Sequence, residues 1–262
     1  MLVAHAQGDD AVLDLVDGLV ARRVEGLILA TARARDPVLA RCMALGLPTV
    51  LVNRADLEGR LPAVVPDDRE GMRLAVQHLL ALGHRSIAHL AGPQDVSTGI
   101  LRAEGFRATM AAAGIAPGPV VAATAHTREA GRDAAERLLA AVEGMTAIVA
   151  ANDLLALGAF QALAARGLRC PNDVSVTGHN DMPLVDMVRP PLTTVRICHD
   201  YIGREGARLL LERIARPEVP TVQIRTGPEL VVRESTARPP PGAPGDADGV
   251  RRRRRNHSVP AR

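Results

Sequence analysis

The sequence predicts an α/β protein built as two doubly wound lobes, each a parallel sheet covered on both faces by helices. Three observations predict it. The strand-like segments are continuous apolar runs, such as GLILA at Gly26–Ala30, rather than alternating ones, as strands buried on both faces require. Nearly every such run is followed by a stretch whose apolar residues recur at helical spacing. About nine strands of this kind precede the C-terminal tail, too many for one compact sheet of ordinary size, so the chain divides into two lobes.

Taken in order, Leu2–Ala6 reads as a strand and Asp9–Ala21 as a helix, with Val12, Leu15, Val16 and Leu19 on one face. Gly26–Ala30 is a buried strand. A helix over Asp36–Leu45 closes at Gly46, and Pro48–Val52 and Ala63–Val65 follow as strands. The Glu70–Leu82 helix stops at Gly83, Ser86–Leu90 is a strand, and a helix over Arg102–Ala113 ends at Gly114. Strand Val120–Ala123, helix Arg128–Val142 and strand Ala147–Ala150 continue the alternation. A helix over Leu154–Arg166 stops at Gly167 before strand Val174–Thr177. Met182–Pro191 is a loop, Tyr201–Ile214 a helix, and short strands lie near Val222–Ile224 and Leu230–Val232. Residues 239–262 are rich in Pro, Gly and Arg without periodicity and are expected to be disordered.

The net charge of +3 and pI of about 9.2 suggest a nucleic-acid partner until the charges are located. From Ala237 onward seven arginines (Arg238, Arg251 to Arg255 and Arg262) face only Asp246 and Asp248, so the tail carries +5 and the preceding residues −2. The five-arginine run suits a solvated tail, with non-specific phosphate contact as the alternative. With no lysine and three aromatics (Phe106, Phe160, Tyr201), base stacking is nearly unavailable. Cys42, Cys170 and Cys198 are odd in number and lack metal-ligand spacing, which fits a reducing cytoplasm and excludes a disulfide framework. No segment is long and apolar enough for a membrane span, and MLVAHAQGDD does not read as a signal peptide.

Ligands of open α/β sheets bind at the carboxyl ends of strands. The polar segments there are Asn53-Arg54, Gly92-Pro93-Gln94-Asp95, Ala151-Asn152-Asp153, Gly178-His179-Asn180-Asp181 and Arg196–His199. An enzyme finds little support: there is no GxGxxG after a strand, no GxSxG, and no P-loop, which needs lysine. No cofactor or metal motif is present. Asp153 and Asp181 are a possible acid–base pair, with Asp153 as a cap of the helix at Leu154 the favoured alternative. His78 and His84 read as structural, and His199 as either pocket wall or surface.

Seven segments together carry a resemblance. They are Val24–Leu29, Ala81–Ala88, Glu104–Arg107, Ala151–Gly158, Asp173–Gly178, Arg189–Val195 and Glu229–Thr236. In this order they resemble the effector-binding core of the lac-repressor (LacI/GalR) family of bacterial transcription regulators. The resemblance implies a cytoplasmic homodimer, not an enzyme, whose two Rossmann-like lobes are joined by three chain crossings and bind a small effector in the interlobe cleft. The first lobe is expected over 1–66 plus 199–217, the second over 67–198 plus 218–236, and the disordered tail over 237–262. Carried over by position, the effector site comprises Asn53, Thr98, Arg102, Asn152, Asn180 and His199.

Many sugar-responsive members have aspartate at the positions of Asn53 and Asn180. A carboxylate accepts strong hydrogen bonds from hydroxyls, whereas asparagine offers one neutral acceptor and a donor. The exchange leaves Arg102 facing a less anionic site, so a sugar phosphate or carboxylate is expected besides a plain sugar, against the alternative of a site that binds nothing. Family members begin with a helix-turn-helix headpiece, and residue 1 matches their second core strand. Operator contact is therefore expected only through a headpiece absent from this sequence. The first lobe is expected to be incomplete, lacking its first strand and helix, and less stable than the second. A start codon placed too late explains that better than a natural headless regulator. A solute-binding protein of a sugar ABC transporter is the alternative function, disfavoured by the missing signal peptide and the Glu229–Thr236 ending.

Overall fold

The computed structural model describes residues 9–33 and 36–242. The expected strand at Leu2–Ala6 and nearly all of the arginine-rich tail lie outside the described residues. The chain divides into two compact units. The first takes the described residues up to Asp67, then Asp95–Thr98 and Cys198–Gly227; the second takes Asp68–Gln94, Gly99–Ile197 and the described residues from Pro228.

In the first unit, β1 (Leu27–Leu29), β2 (Thr49–Val52), β3 (Ala63–Pro66) and β9 (Gln223–Thr226) form one parallel sheet in that order. Side chains alternate across it as the pleat dictates. Leu51, Ala63 and Val65 join Leu39 of α2 (Pro37–Ala44) on one face, beside α1 (Asp9–Ala21), whose Val16 packs with Val38 and Cys42. Val50, Val64 and Ile224 meet Ile202 and Leu209 of α7 (His199–Ala215) on the other. Asp36 starts α2 by accepting from the Val38 N–H at 2.9 Å, with Pro37 supplying a ready helical φ.

The second sheet runs β10-β8-β7-β6-β4-β5, with β4 at Ile87–Ala91, β5 at Val120–Ala122, β6 at Ala147–Ala150, β7 at Ser175–Asn180 and β8 at Thr193–Arg196. Only β10 (Glu229–Val231) is antiparallel to its neighbour. Met72, Val76 and Leu79 of α3 (Asp68–Ala81), with Phe106 and Met110 of α4 (Ser97–Ala112), cover the face that bears Val149 and Val195. Leu138 of α5 (Arg128–Ala141) and Leu155 and Leu163 of α6 (Asp153–Ala165) cover the Ile148 and Val176 face.

The helices α5 and α6 cross at two glycines. A Cβ on Gly158 would lie 2.3 Å from the Arg128 carbonyl oxygen and 2.4 Å from the Arg132 nitrogen, and one on Gly131 would lie 2.7 Å from the Leu155 Cα. These neighbours are backbone atoms and cannot yield without separating the helices. Gly158→Ala is therefore expected to destabilise the protein by about 1–3 kcal/mol or more, although alanine is the better helix former. A lowered urea midpoint checks this, and an unchanged midpoint contradicts it.

Two expectations need correction. Residues 218–236 do not stay together: β9 pairs with β3 in the first sheet, while β10 pairs with β8 in the second, because Gln223–Thr226 matches the register of Ala63–Pro66. The tail does not begin at Ala237, whose N–H donates to Ser175 Oγ (3.0 Å) and whose carbonyl accepts from the His84 Nε2–H (2.8 Å). Strand β8, for which the sequence sets no bounds, follows the expected loop; its buried threonines hide it from an apolar pattern.

Candidate functional site

The carboxyl end of the second sheet gathers Gly92 after β4, Ala151 and Asn152 after β6, and Asn180 and Asp181 at the end of β7. Arg102, one turn into α4 and 2% exposed, supplies the only guanidinium that enters this cluster from that helix. Its Nε donates to Asp68 Oδ1 at 2.7 Å, Nη1 to the Ala151 carbonyl at 2.5 Å, and Nη2 to Asn180 Oδ1 at 3.4 Å. Asp68 is the first residue of α3 and equally buried, so the pair is a desolvated ion pair that fastens α4 to α3. Three of the five guanidinium donors are thereby committed to protein.

Asn152, not Asp153, is the cap of α6: its Oδ1 accepts from the Leu155 N–H at 2.8 Å. The cap is one residue earlier than expected because Asn152 has the extended backbone a cap requires, while Asp153 already lies in the helix. Asp153 is fully buried and takes other partners, accepting at Oδ2 from the Met182 N–H (2.7 Å) and at Oδ1 from the Thr194 hydroxyl (2.5 Å). Desolvation pushes its carboxyl up to about 6, opposed by these two hydrogen bonds and reinforced by the Asp181 charge. Asp181 is held by Arg196 Nε and Arg233 Nη2, each at 2.7 Å. The two carboxylates considered as an acid–base pair are therefore both occupied by protein donors.

Asn180 closes the cluster with a backbone φ of 112°, uncommon for a residue with a side chain. Its Oδ1 receives Arg102 Nη2 and, at 3.2 Å, His179 Nδ1. His126 lies at the same sheet end, its ring so close to Gly92 that a Cβ there would stand 2.6 Å from Nε2. Gln94 fixes that loop by donating to the Gly92 and Gly99 carbonyls.

Of the six residues expected in the site, Arg102, Asn152 and Asn180 are thus brought together in the second unit. Asn53, Thr98 and His199 belong to the first. Asn53 follows β2 with φ of 64°, a left-handed conformation that asparagine tolerates well. Thr98 is buried in the first turn of α4, beside Ser97, whose hydroxyl accepts from the Ala55 N–H at 2.9 Å. His199 opens α7 and is exposed.

Two residues of the cluster escaped the sequence reading, Asp68 and Thr194, and His179 entered it only as part of the polar Gly178–Asp181 segment. Asp68 precedes the helix expected from Glu70 and Thr194 follows the loop expected up to Pro191, and nothing in their spacing points to Arg102 or Asp153.

Comparison with known proteins gives a consistent result. The periplasmic binding protein-like domain matches residues 76–236. The transcriptional regulator MalR of Streptomyces coelicolor is 36% identical over 94% of this chain and 73% of its own length. The chain belongs to the LacI family of transcriptional regulators. The ribose operon repressor of Escherichia coli is 30% identical over 90% of the LacI-family chain described here and 72% of its own length. Among solved structures, a complex of the regulator CelR with cellobiose superposes with a TM-score of 0.80 at 33% identity, covering 87% of this chain and 71% of the other. The lac repressor dimer bound to operator and an anti-inducer superposes with a TM-score of 0.78 at 29% identity, covering 88% and 80%.

The α/β architecture with parallel sheets is that of the periplasmic-binding-protein-like core of LacI-family regulators, and this chain is such a core. These relatives are regulators rather than enzymes, and they disfavour a transporter's solute-binding protein. Among the described residues no helix is long and apolar enough to cross a membrane.

Proposed function

We propose that this LacI-family core binds a neutral sugar as its effector, through Arg102, Asn152 and Asn180 of the second unit. The observation that carries the class of effector is the buried Arg102–Asp68 pair. With a carboxylate at 2.7 Å, the guanidinium charge is already balanced within the protein, so an anionic ligand would find little net attraction. What Arg102 can still offer is N–H donation to oxygen, and Asn152 keeps its amide NH2 because Oδ1 is taken by the helix cap. Hydroxyl oxygens of an uncharged sugar suit such donors. The solved CelR complex holds cellobiose, and a LacI-family regulator from Enterococcus faecium holds ribose, which supports the same class here.

In the cytoplasm the regulator acts as a homodimer, and the effector alters operator affinity by stabilising one arrangement over another. This requires different affinities for the two states. The operator phosphates are not assigned to the core, whose first 236 residues carry a net −2. The chain is accordingly proposed to be no enzyme and to need no cofactor.

A thermal-shift and calorimetry panel tests the effector class. Cellobiose, ribose and other neutral sugars are set against glucose 6-phosphate and gluconate. A neutral sugar at a hundred times its Kd is expected to stabilise by about 2.7 kcal/mol. Asn180→Ala is expected to weaken that sugar by about tenfold, the worth of one hydrogen bond. Stabilisation by the anions alone would overturn the reading.

A further inference from the structure

We propose that His179 is a positioning residue that locks the side-chain amide of Asn180 with its oxygen inward and its NH2 group outward, so that Asn180 meets the effector as a hydrogen-bond donor. This rests on the effector reading above and adds to it the polarity of one contact.

The oxygen of Asn180 is identified by its partners. Arg102 Nη2, at 3.4 Å, belongs to a group that can only donate, so the atom facing it must accept. The second partner is His179 Nδ1 at 3.2 Å, and whether it donates depends on where the imidazole proton resides. His179 is 1% exposed, at the position just before Asn180 in β7. Its other ring nitrogen, Nε2, is buried without a hydrogen-bond partner. Gly71 of α3 comes so near that a Cβ there would stand 2.6 Å from Nε2, so the helix backbone covers this atom.

An orphaned buried N–H is rarer and costlier than an orphaned acceptor. A neutral imidazole has one proton to place. It therefore resides on Nδ1, and Nδ1–H donates to Asn180. Burial and the nearby Arg102 charge hold the ring neutral by lowering its pKa well below the usual value.

Two donors from different elements, α4 and β7, thus converge on one acceptor. Turning the amide over would aim its NH2 group at a guanidinium and an imidazole N–H, losing both hydrogen bonds and opposing like dipoles. The unusual φ of Asn180 is kept by the same two contacts. The consequence for recognition is specific. An aspartate in this place would require a ligand hydroxyl to donate, whereas Asn180 requires only an oxygen that accepts. A ring oxygen, a carbonyl or an O-methylated hydroxyl satisfies it as well as a free hydroxyl.

Two measurements on the full chain test the lock. Imidazole nitrogen NMR on a chain labelled with 15N-histidine, with His179→Asn identifying the signals, is expected to find His179 neutral at pH 6 with its proton on Nδ1. A proton on Nε2, or a doubly protonated ring, would overturn the proposal without reference to any ligand. Calorimetry with cellobiose and ribose gives the second readout. For whichever binds, His179→Leu is expected to weaken binding by about tenfold. His179→Asn can set an amide N–H where Nδ1–H stood, and it is expected to stay within about threefold of the parent. Equal losses in both variants would assign His179 a packing role only and sink the proposal. If neither sugar binds the parent chain, the effector reading fails in that arm, while the NMR result still decides the lock.

Discussion

Arg102→Met is expected to cost the fold about 3–5 kcal/mol. The reason is burial on both sides of the ion pair. Arg102 and Asp68 are only 3% and 2% exposed in their side chains, so removing the guanidinium strands a carboxylate in a medium that solvates it poorly. The Ala151 carbonyl and the Asn180 amide oxygen lose a donor as well. Methionine fills much of the volume and so isolates the electrostatic part of the loss. The double variant Arg102→Met with Asp68→Leu is expected to recover most of the stability, because a buried pair replaced by apolar groups is close to neutral. It should not recover effector binding. Urea unfolding of the two variants checks the first claim, with slopes compared so that midpoints report stability. A single variant as stable as the parent, or a double variant no better than the single, contradicts it.

That ion pair also marks the limit of what could be read from the sequence. Local patterns sufficed for the doubly wound architecture, since runs such as Ala147–Ala150 and Val50–Leu51 are apolar on both faces and helical stretches separate most of the strands. Strand β8 was not legible. Thr193 and Thr194 are buried as fully as any leucine, but their hydroxyls are consumed by the Arg233 N–H and by Asp153, partners 40 and 41 residues away. The first turn of α4 was missed because Ser97, Thr98 and Gly99 carry no helical apolar spacing, and Ser97 is held instead by the distant Ala55.

The site shows the same division. Asn152 and Asn180 were legible because they stand at strand ends, and Arg102 because it lies in the helix after the Gly92 loop, just ahead of the Glu104–Arg107 segment. Asp68 and Thr194 were not, because their roles consist of non-local hydrogen bonds that leave no periodic trace. The charge expectation illustrates the cost. With Asp68 unrecognised, Arg102 looked like an uncompensated cation and pointed to an anionic effector; the 2.7 Å contact removes that reason.

Asp153→Asn is expected to make the protein more stable at pH 7.5 and more sensitive to acid. In the folded chain the Asp153 carboxyl is raised to about 6, against an ordinary value of 3.8. Between these values the native state holds a proton that the unfolded state has released, so stability falls as pH rises from about 4 to about 6 and stays reduced above that. Two pKa units correspond to about 3 kcal/mol. Asparagine removes the penalty while keeping the contacts: its Oδ1 can accept from the Met182 N–H, and its NH2 can donate to Thr194 Oγ1 once that hydroxyl rotates.

His89 works in the opposite direction. Burial beneath Phe106 lowers its pKa to about 4 against the opposing hydrogen bond that Nδ1–H gives the Val149 carbonyl at 2.7 Å, and His179 is lowered as well. A histidine kept neutral in the fold but free to protonate when unfolded withdraws stability as pH falls from about 6.5 to about 4, by about 3 kcal/mol for His89 alone. In the parent chain the rise from Asp153 offsets part of this fall over the same interval. Asp153→Asn removes the offset, so its stability should drop more steeply between pH 6 and pH 4 than the parent's, from a higher value at pH 7.5. Urea midpoints at half-unit pH steps decide the matter. Parallel profiles for parent and variant would mean that Asp153 titrates at its ordinary value and that its burial is offset by stronger hydrogen bonds than the two it makes to Met182 and Thr194.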